Sequence, residues 1–256
     1  MPEALFTQVY LGFAVEDHRH LFQSFGDTHR GAVRELNEDR FLCADEAGLW
    51  AVADGMGGGD AGDYASTLVI DSLHEITTSR LASMARAVRA RLRDAHQCLR
   101  KEALARGHRV TIGSTVVVLL SDGADYLILW VGDSRVYDFD GQTLRQRSRD
   151  HSLVQEMVDT GQLTSEQARD HPRANIITRA IGAAGDLRVD EVGGAITPEQ
   201  TFLLCSDGIT HACAPPVISQ ALQAATPERA VQTLMTHALQ ARARDNITAV
   251  VVRPKG

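Results

Sequence analysis

The hydrophobic positions of this chain change their period several times, and each change predicts an element. Phe22 to Thr28 and Leu49 to Ala53 are short apolar-rich runs with the character of strands, and the second ends abruptly at Asp54-Gly55. From about Asp60 to Arg106 the chain is rich in Ala, Leu and Arg. Apolar residues recur there at helical spacing, through Leu68, Val69, Leu73 and Ile76 and then Leu81, Met84, Val88, Leu92, Ala95 and Leu99, which predicts two successive amphipathic helices. Strand character returns over Thr111 to Leu120. Tyr126 to Val131 and Arg135 to Phe139, set between turns at Asp122-Gly123, Gly132 and Asp140-Gly141, extend it into an expected antiparallel meander. Between Asp150 and Asn175 the periodicity weakens in a polar, helix-like stretch, read as an exposed flap at about residues 150–175. Thr201 to Cys205 and Thr248 to Val252 are strands flanking a helical stretch from about Pro227 to Ala241. This succession favours an α+β layered fold over a regular βαβ alternation. No repeat or low-complexity linker divides the sequence, which reads as an N-terminal extension over residues 1–21 and one domain over 22–254.

Composition narrows the class. With 256 residues, 44% hydrophobic and 23% charged, the chain can bury a full core, which excludes a disordered or fibrous protein. No apolar run approaches the roughly 20 residues of a membrane-spanning helix, and no secretory signal pattern opens the sequence, so a soluble, cytoplasmic protein without a membrane partner is expected. Cys43, Cys98, Cys205 and Cys213 form no C-x-x-C pair and are read as reduced, buried thiols. The net charge of -7 argues against nucleic acid as a partner, while leaving room for one local cationic pocket that holds a phosphate.

The candidate chemistry lies in acids at strand ends. Asp54 follows Trp50 to Ala53, Asp207 follows Phe202 to Ser206, and Asp245 precedes the strand that begins at Ile247. A carboxylate in that position is rigid and partly desolvated, which is costly unless a cation or donor compensates. Several converging carboxylates repel one another, and oxygen-only ligands favour Mg²⁺ or Mn²⁺ over zinc. Any one of these residues alone is better explained as a turn. The set, with Glu38 and Asp39 added, is what points to function. Arg34 stands just upstream and offers the bidentate fork that a phosphate dianion needs, although a lone arginine is most often a solvated surface charge.

Gly31-Ala32-Val33-Arg34-Glu35-Leu36-Asn37-Glu38-Asp39, Ala53-Asp54-Gly55-Met56-Gly57-Gly58, Thr111-Ile112-Gly113-Ser114-Thr115, Val131-Gly132-Asp133-Ser134-Arg135, Asp150-His151-Ser152, Cys205-Ser206-Asp207-Gly208 and Asp245-Asn246-Ile247-Thr248 together resemble the ordered motifs of the metal-dependent type-2C protein serine/threonine phosphatases in their bacterial form. The resemblance runs from about Phe22 to Val252. It implies a β-sandwich of two antiparallel sheets flanked by helices on both sides, with two Mn²⁺ or Mg²⁺ ions at one end and a third, weaker site beside them. By the same resemblance Asp54 bridges the two metals, Asp207 and Asp245 complete one site, and the Gly55 carbonyl serves the other. Glu38 and Asp39 would act mainly through water, Asp133 with Asp207 would hold the third ion, and Arg34 would bind the phosphate. The implied reaction is hydrolysis of phosphoserine or phosphothreonine by direct attack of a metal-bridging water, with no protein nucleophile. Phosphorylated proteins are the implied partners, among them a bacterial Ser/Thr kinase and its substrates.

One departure stands out. Relatives carry a histidine in the loop after Asp-Gly, where this chain has Met56 and Gly59, so the proton donor for the leaving group falls to His151 or to a metal-bound water, unless His151 is structural. That missing histidine supports the alternative of a pseudophosphatase that only binds phosphoproteins. Gly57 to Gly62 also satisfies G-x-G-x-x-G, but Asp54 and Asp60 would flank a pyrophosphate with negative charge and a second helix stands where the next parallel strand belongs, so a dinucleotide fold is rejected.

Overall fold

Strands that are apolar at successive residues need cover on both faces. The computed structural model, which describes residues 21–57, 60–76, 78, 80–107, 111–169 and 171–255, supplies that cover in four layers. In chain order the strands are β1 (Phe22–His29), β2 (Asp39–Ala44), β3 (Leu49–Gly57), β4 (Ile112–Ser114), β5 (Val116–Ser121), β6 (Asp125–Val131), β7 (Arg135–Phe139), β8 (Leu144–Gln146), β9 (Asp190–Ala195), β10 (Thr201–Cys205) and β11 (Ile247–Pro254). The helices are α1 (Ala61–His74), α2 (Leu81–Arg106), α3 (Leu153–Asp159), α4 (Ser165–Arg169), α5 (Asp207–Ala212), α6 (Pro215–Leu222) and α7 (Pro227–Gln240). One antiparallel sheet runs β1-β11-β10-β7-β8, and the other runs β2-β3-β5-β6-β9 with β4 paired to the end of β3. The β-sandwich expected from the resemblance is therefore the observed fold. Most of the N-terminal extension expected over residues 1–21 lies outside the described residues.

Side-chain alternation explains why the sandwich has three apolar layers. In β3, Leu49, Ala51 and Ala53 pack with Val69, Leu73, Met84, Val88 and Leu92 of α1 and α2, while Trp50 and Val52 turn to the opposite sheet. In β10 and β11, Leu203, Cys205, Ala249 and Val251 meet Ile218, Val231 and Leu234 of α6 and α7, while Phe202, Leu204, Val250 and Val252 fill the space between the sheets. Strands β1 and β11 pair along their whole length, from Phe22 opposite Pro254 to His29 opposite Ile247.

Several expectations need correction. The strand expected to stop at Asp54 continues to Gly57, because β4 pairs with it there, Gly55 opposite Ser114. The strand expected over Thr111 to Leu120 is two strands interrupted at Thr115. The meander is split: β6 pairs with β5, whereas β7 pairs with β10 in the other sheet. Gly132, at φ 111, makes that crossing, and a Cβ there would press on Thr115. Cys205 and Cys213 are buried, but Cys43 and Cys98 are exposed. The flap contains α3 and α4 and is largely exposed, although its root is not: His151, Ser152 and Val154 are buried.

Candidate active site

Acidic residues from five separate segments meet at one end of the sandwich. Asp39 opens β2 and sits directly opposite Asp54 of β3 in the antiparallel register, an arrangement of like charges that costs stability by itself. Asp133 lies in the crossing between β6 and β7, Asp207 begins α5 just after β10, and Asp245 directly precedes β11. Burial, followed by the charges of Asp39, Asp207, Asp133 and Asp245, holds the Asp54 carboxyl well above the usual carboxylate range. Asp39 is wholly buried. Its Oδ2 accepts hydrogen bonds from Ser206 Oγ and Thr248 Oγ1, both at 2.7 Å, yet burial still pushes its pKa up to about 7. Burial, with Asp207 and Asp150, pushes Asp133 up to about 8, and burial raises Asp207 as well.

Two atoms in this group test whether a cation fits. Asp39 Oδ1 and Glu38 Oε1 are buried and have no hydrogen-bond partner, a costly state for carboxylate oxygens. Hard anionic donors that repel one another and leave lone pairs unfilled suit Mg²⁺ or Mn²⁺. Among the described residues no three Asp, Glu, His or Cys side chains close into a ready coordination cage, so water and backbone oxygens would have to fill part of any ion's shell. Gly55 belongs to the same corner. Its N–H donates to the Glu38 carbonyl at 3.1 Å, and a Cβ on it would collide with the Gly62 carbonyl of α1. The absence of a side chain lets β3 and the start of α1 meet over the Glu38 carboxylate.

Arg34 comes from the loop between β1 and β2, and Asn246 holds that loop in place. The buried Asn246 amide accepts from Glu38 N–H at 2.8 Å and donates to the Arg30 and Leu36 carbonyls at 3.1 and 2.9 Å. Gly31, at φ 75, lies so close to the Asp245 carbonyl that no side chain could stand there. The half-exposed Arg34 donates from Nη2 to Asp245 Oδ2 at 2.8 Å, and that bond raises the guanidinium pKa, leaving the cation in place at any working pH. The structure thus brings together all eight residues marked by the sequence: Arg34, Glu38, Asp39, Asp54, Gly55, Asp133, Asp207 and Asp245.

It also shows supporting residues that sequence reading left without a role. Thr115 N–H donates to the Asp54 carbonyl at 2.8 Å, and Thr115 Oγ1 accepts from Asp54 N–H at 3.2 Å while pairing with Ser134 Oγ at 2.7 Å. Arg135 grips Asp150 with Nε and Nη2, tying the flap root to the turn that carries Asp133. His211 of α5 brings Nδ1 to 3.6 Å from Asp207 Oδ2. His151 is a pin. Its Nδ1 accepts from Gly132 N–H at 3.1 Å, its Nε2 lies 3.1 Å from Asp190 Oδ2, and its ring stacks on Trp130. Both of its ring nitrogens are thus engaged within the protein. Gly59, the other position tied to proton donation, lies outside the described residues.

The fold and sequence have relatives among known proteins. Serine/threonine phosphatase Stp of Listeria monocytogenes is 34% identical over 234 residues, which is 88% of this chain and 93% of the relative. The solved structure of PppA, described as a key regulatory component of T6SS in Pseudomonas aeruginosa, is 42% identical with a TM-score of 0.85, covering 91% of this chain and 98% of that one. The catalytic domain of the serine/threonine protein phosphatase PstP in complex with two manganese ions is 29% identical with a TM-score of 0.79, covering 91% and 97%. The family described as protein phosphatase 2C matches residues 25–250, and with the sandwich, the acidic end and these relatives in agreement, the chain belongs to it.

Proposed function

We infer that this chain is a metal-dependent protein serine/threonine phosphatase whose reaction centre is the acidic end of the sandwich. The observation that carries the reading is the convergence of Asp39, Asp54, Asp133, Asp207 and Asp245 on one buried corner beside Arg34. In this reading Asp54 would be shared by two ions, Asp207 and Asp245 would help hold one, the Gly55 carbonyl would serve the other, and Asp133 with Asp207 would hold a third. Glu38 and Asp39 supply outer oxygens. When bound, Mn²⁺ or Mg²⁺ supplies acidification of water and stabilisation of charge on the phosphoryl oxygens.

The chain's own residues do the positioning, which dominates phosphoryl transfer. Arg34 orients and neutralises the phosphate, and Asp245 aims the guanidinium. Asn246 fixes the loop that carries Arg34, so the fork is held before substrate arrives. Thr115 and Ser134 hold the Asp54 backbone from the opposite side. No feature of the described residues favours a binding-only pseudophosphatase. Phosphoserine and phosphothreonine proteins are the proposed substrates, and a bacterial Ser/Thr kinase is the enzyme it would oppose. No helix among the described residues is long and apolar enough to cross a membrane, and we place the enzyme in the cytoplasm.

Turnover of p-nitrophenyl phosphate with added Mn²⁺ or Mg²⁺ tests this. Activity should vanish in excess chelator and return with metal, and Asp54→Asn and Asp207→Asn should lose it while remaining folded by circular dichroism. Full activity under chelation, or wild-type rates in either variant, would refute the assignment.

A further inference from the structure

Beside Arg34 runs an open groove of about 940 Å³. Its walls come from three places: Val33 and Arg34 of the β1–β2 loop, Arg169 and Ile176 of the flap region, and Arg242 and Arg244 of the turn between α7 and β11. The charge of this groove opposes that of the chain. On a protein of net charge -7, Arg169, Arg242 and Arg244 are exposed here, and none of the three pairs with a carboxylate among the described residues. The carboxylate that lines the groove, Asp245, is taken up by Arg34. Val33 and Ile176 add exposed apolar surface, 62% and 47% accessible, as a polypeptide segment would use.

The backbone adds an independent observation. Arg242 is the one non-glycine residue with positive φ among the described residues, at 57°. It closes the end of α7, where Arg242 N–H donates to the Leu239 carbonyl and Ala243 N–H to that of Ala238. Glycine fills such a position without strain. An arginine there puts a guanidinium on the groove wall at the expense of local backbone comfort, a pattern that marks functional positions.

We propose that this groove reads the flank of the substrate, taking an acidic segment next to the phosphoserine or phosphothreonine. The phosphate lies at Arg34, and the segment's Asp or Glu side chains meet Arg169, Arg242 and Arg244. The proposal rests on the phosphatase reading above and adds a substrate class to it. Because these arginines are exposed, their attraction acts on substrate capture and is screened by salt.

Three phosphothreonine peptides with one core and acidic, neutral or basic flanks, compared with p-nitrophenyl phosphate, decide it. At low salt the wild type should prefer the acidic over the basic peptide by about 10-fold in kcat/KM, mostly through KM, and high salt should shrink the preference. In Arg242→Glu/Arg244→Glu the order should invert, with the loss on the acidic peptide exceeding any change on the aryl ester by about 10-fold. Arg242→Gly should weaken the preference while raising Tm, since it removes the charge and the strain together. Equal kcat/KM for the three peptides in the wild type, or parallel changes on all four substrates in the double variant, would overturn the groove and leave the phosphatase reading intact. A protein inert toward the aryl ester refutes the phosphatase reading separately. Fluorescence anisotropy of the labelled peptides then still decides the groove: tighter binding of the acidic peptide supports it, and equal binding overturns it.

Discussion

Replacing Asn246 with alanine isolates one buried amide that fastens the phosphate-binding loop. The side chain makes three hydrogen bonds, all to backbone groups whose donor or acceptor roles are fixed, so its orientation is unambiguous. Each such bond contributes about 1 kcal/mol net, and partners left buried cost more, so Asn246→Ala should lose about 2–4 kcal/mol. For a chain of this size that lowers Tm by roughly 5–12 °C. Asn246→Asp separates bonding from size. It keeps the acceptor for Glu38 N–H but turns a carboxylate oxygen toward the Arg30 and Leu36 carbonyls, where a donor stood. It should therefore be no more stable than the alanine variant. Guanidinium unfolding measures both, and phosphate inhibition of p-nitrophenyl phosphate turnover reports how well Arg34 is still presented. A loss below about 0.5 kcal/mol in Asn246→Ala, or an aspartate variant as stable as wild type, would refute the reasoning.

Arg34→Ala should raise KM and weaken inhibition by inorganic phosphate while metal affinity, read by calorimetry, stays nearly the same; Arg34→Lys should recover only part, because it lacks the planar fork. His151, which faces Trp130, Gly132, Arg179 and Asp190, should contribute to the pH response beside the raised Asp39 and Asp133 carboxyls. Burial chiefly lowers its pKa from 6.5, so the unfolded chain takes up the proton first. Stability from the neutral ring is intact above about 6.5 and is lost as the pH falls from there through the lowered folded value. His151→Gln should flatten the fall of Tm over this window, and its loss of rate should be equal on an aryl phosphate and a phosphoserine peptide. A loss confined to the peptide would restore His151 as the proton donor.

How much of this was legible in the sequence depends on range. The acids stood out because each interrupts or borders an apolar run, and the family resemblance then put all eight site residues in one place. Asp54-Gly55 misled because that pair reads locally as a turn, whereas β4, more than 50 residues away, keeps the strand going. The crossing at Gly132 was hidden for a similar reason: β6 and β7 have the same alternation whether they pair with each other or with partners in different sheets. Strand β2 was missed because Asp39 and Arg40 break its apolar run, and β9 because Gly193 and Gly194 weaken its pattern. The role of Asn246 could not be read at all, since its partners at Arg30, Leu36 and Glu38 lie more than 200 residues upstream.

The pairing of β1 with β11 governs how this domain can be joined to anything else. The acidic corner lies at the His29–Ile247 end of that pair, and the opposite end, Phe22 beside Pro254, is seven residue steps or about 24 Å away. The ladder is sealed there by Lys255 N–H donating to the Leu21 carbonyl at 2.7 Å. A tether joined directly to Leu21 or Lys255 would leave from the rear of the domain and could swing without sweeping across the substrate's path. With Leu21 and Lys255 side by side, a short peptide in place of residues 1–20 could also link them into a loop, and the exposed hairpin at Gly141 and Gln142 could be cut to make new ends. Such a circular permutant would keep every strand pair and break only the turn between β7 and β8, and its new ends, at the same rear end as Thr201 and Val252, would let the molecule be attached there with the acidic corner facing outward.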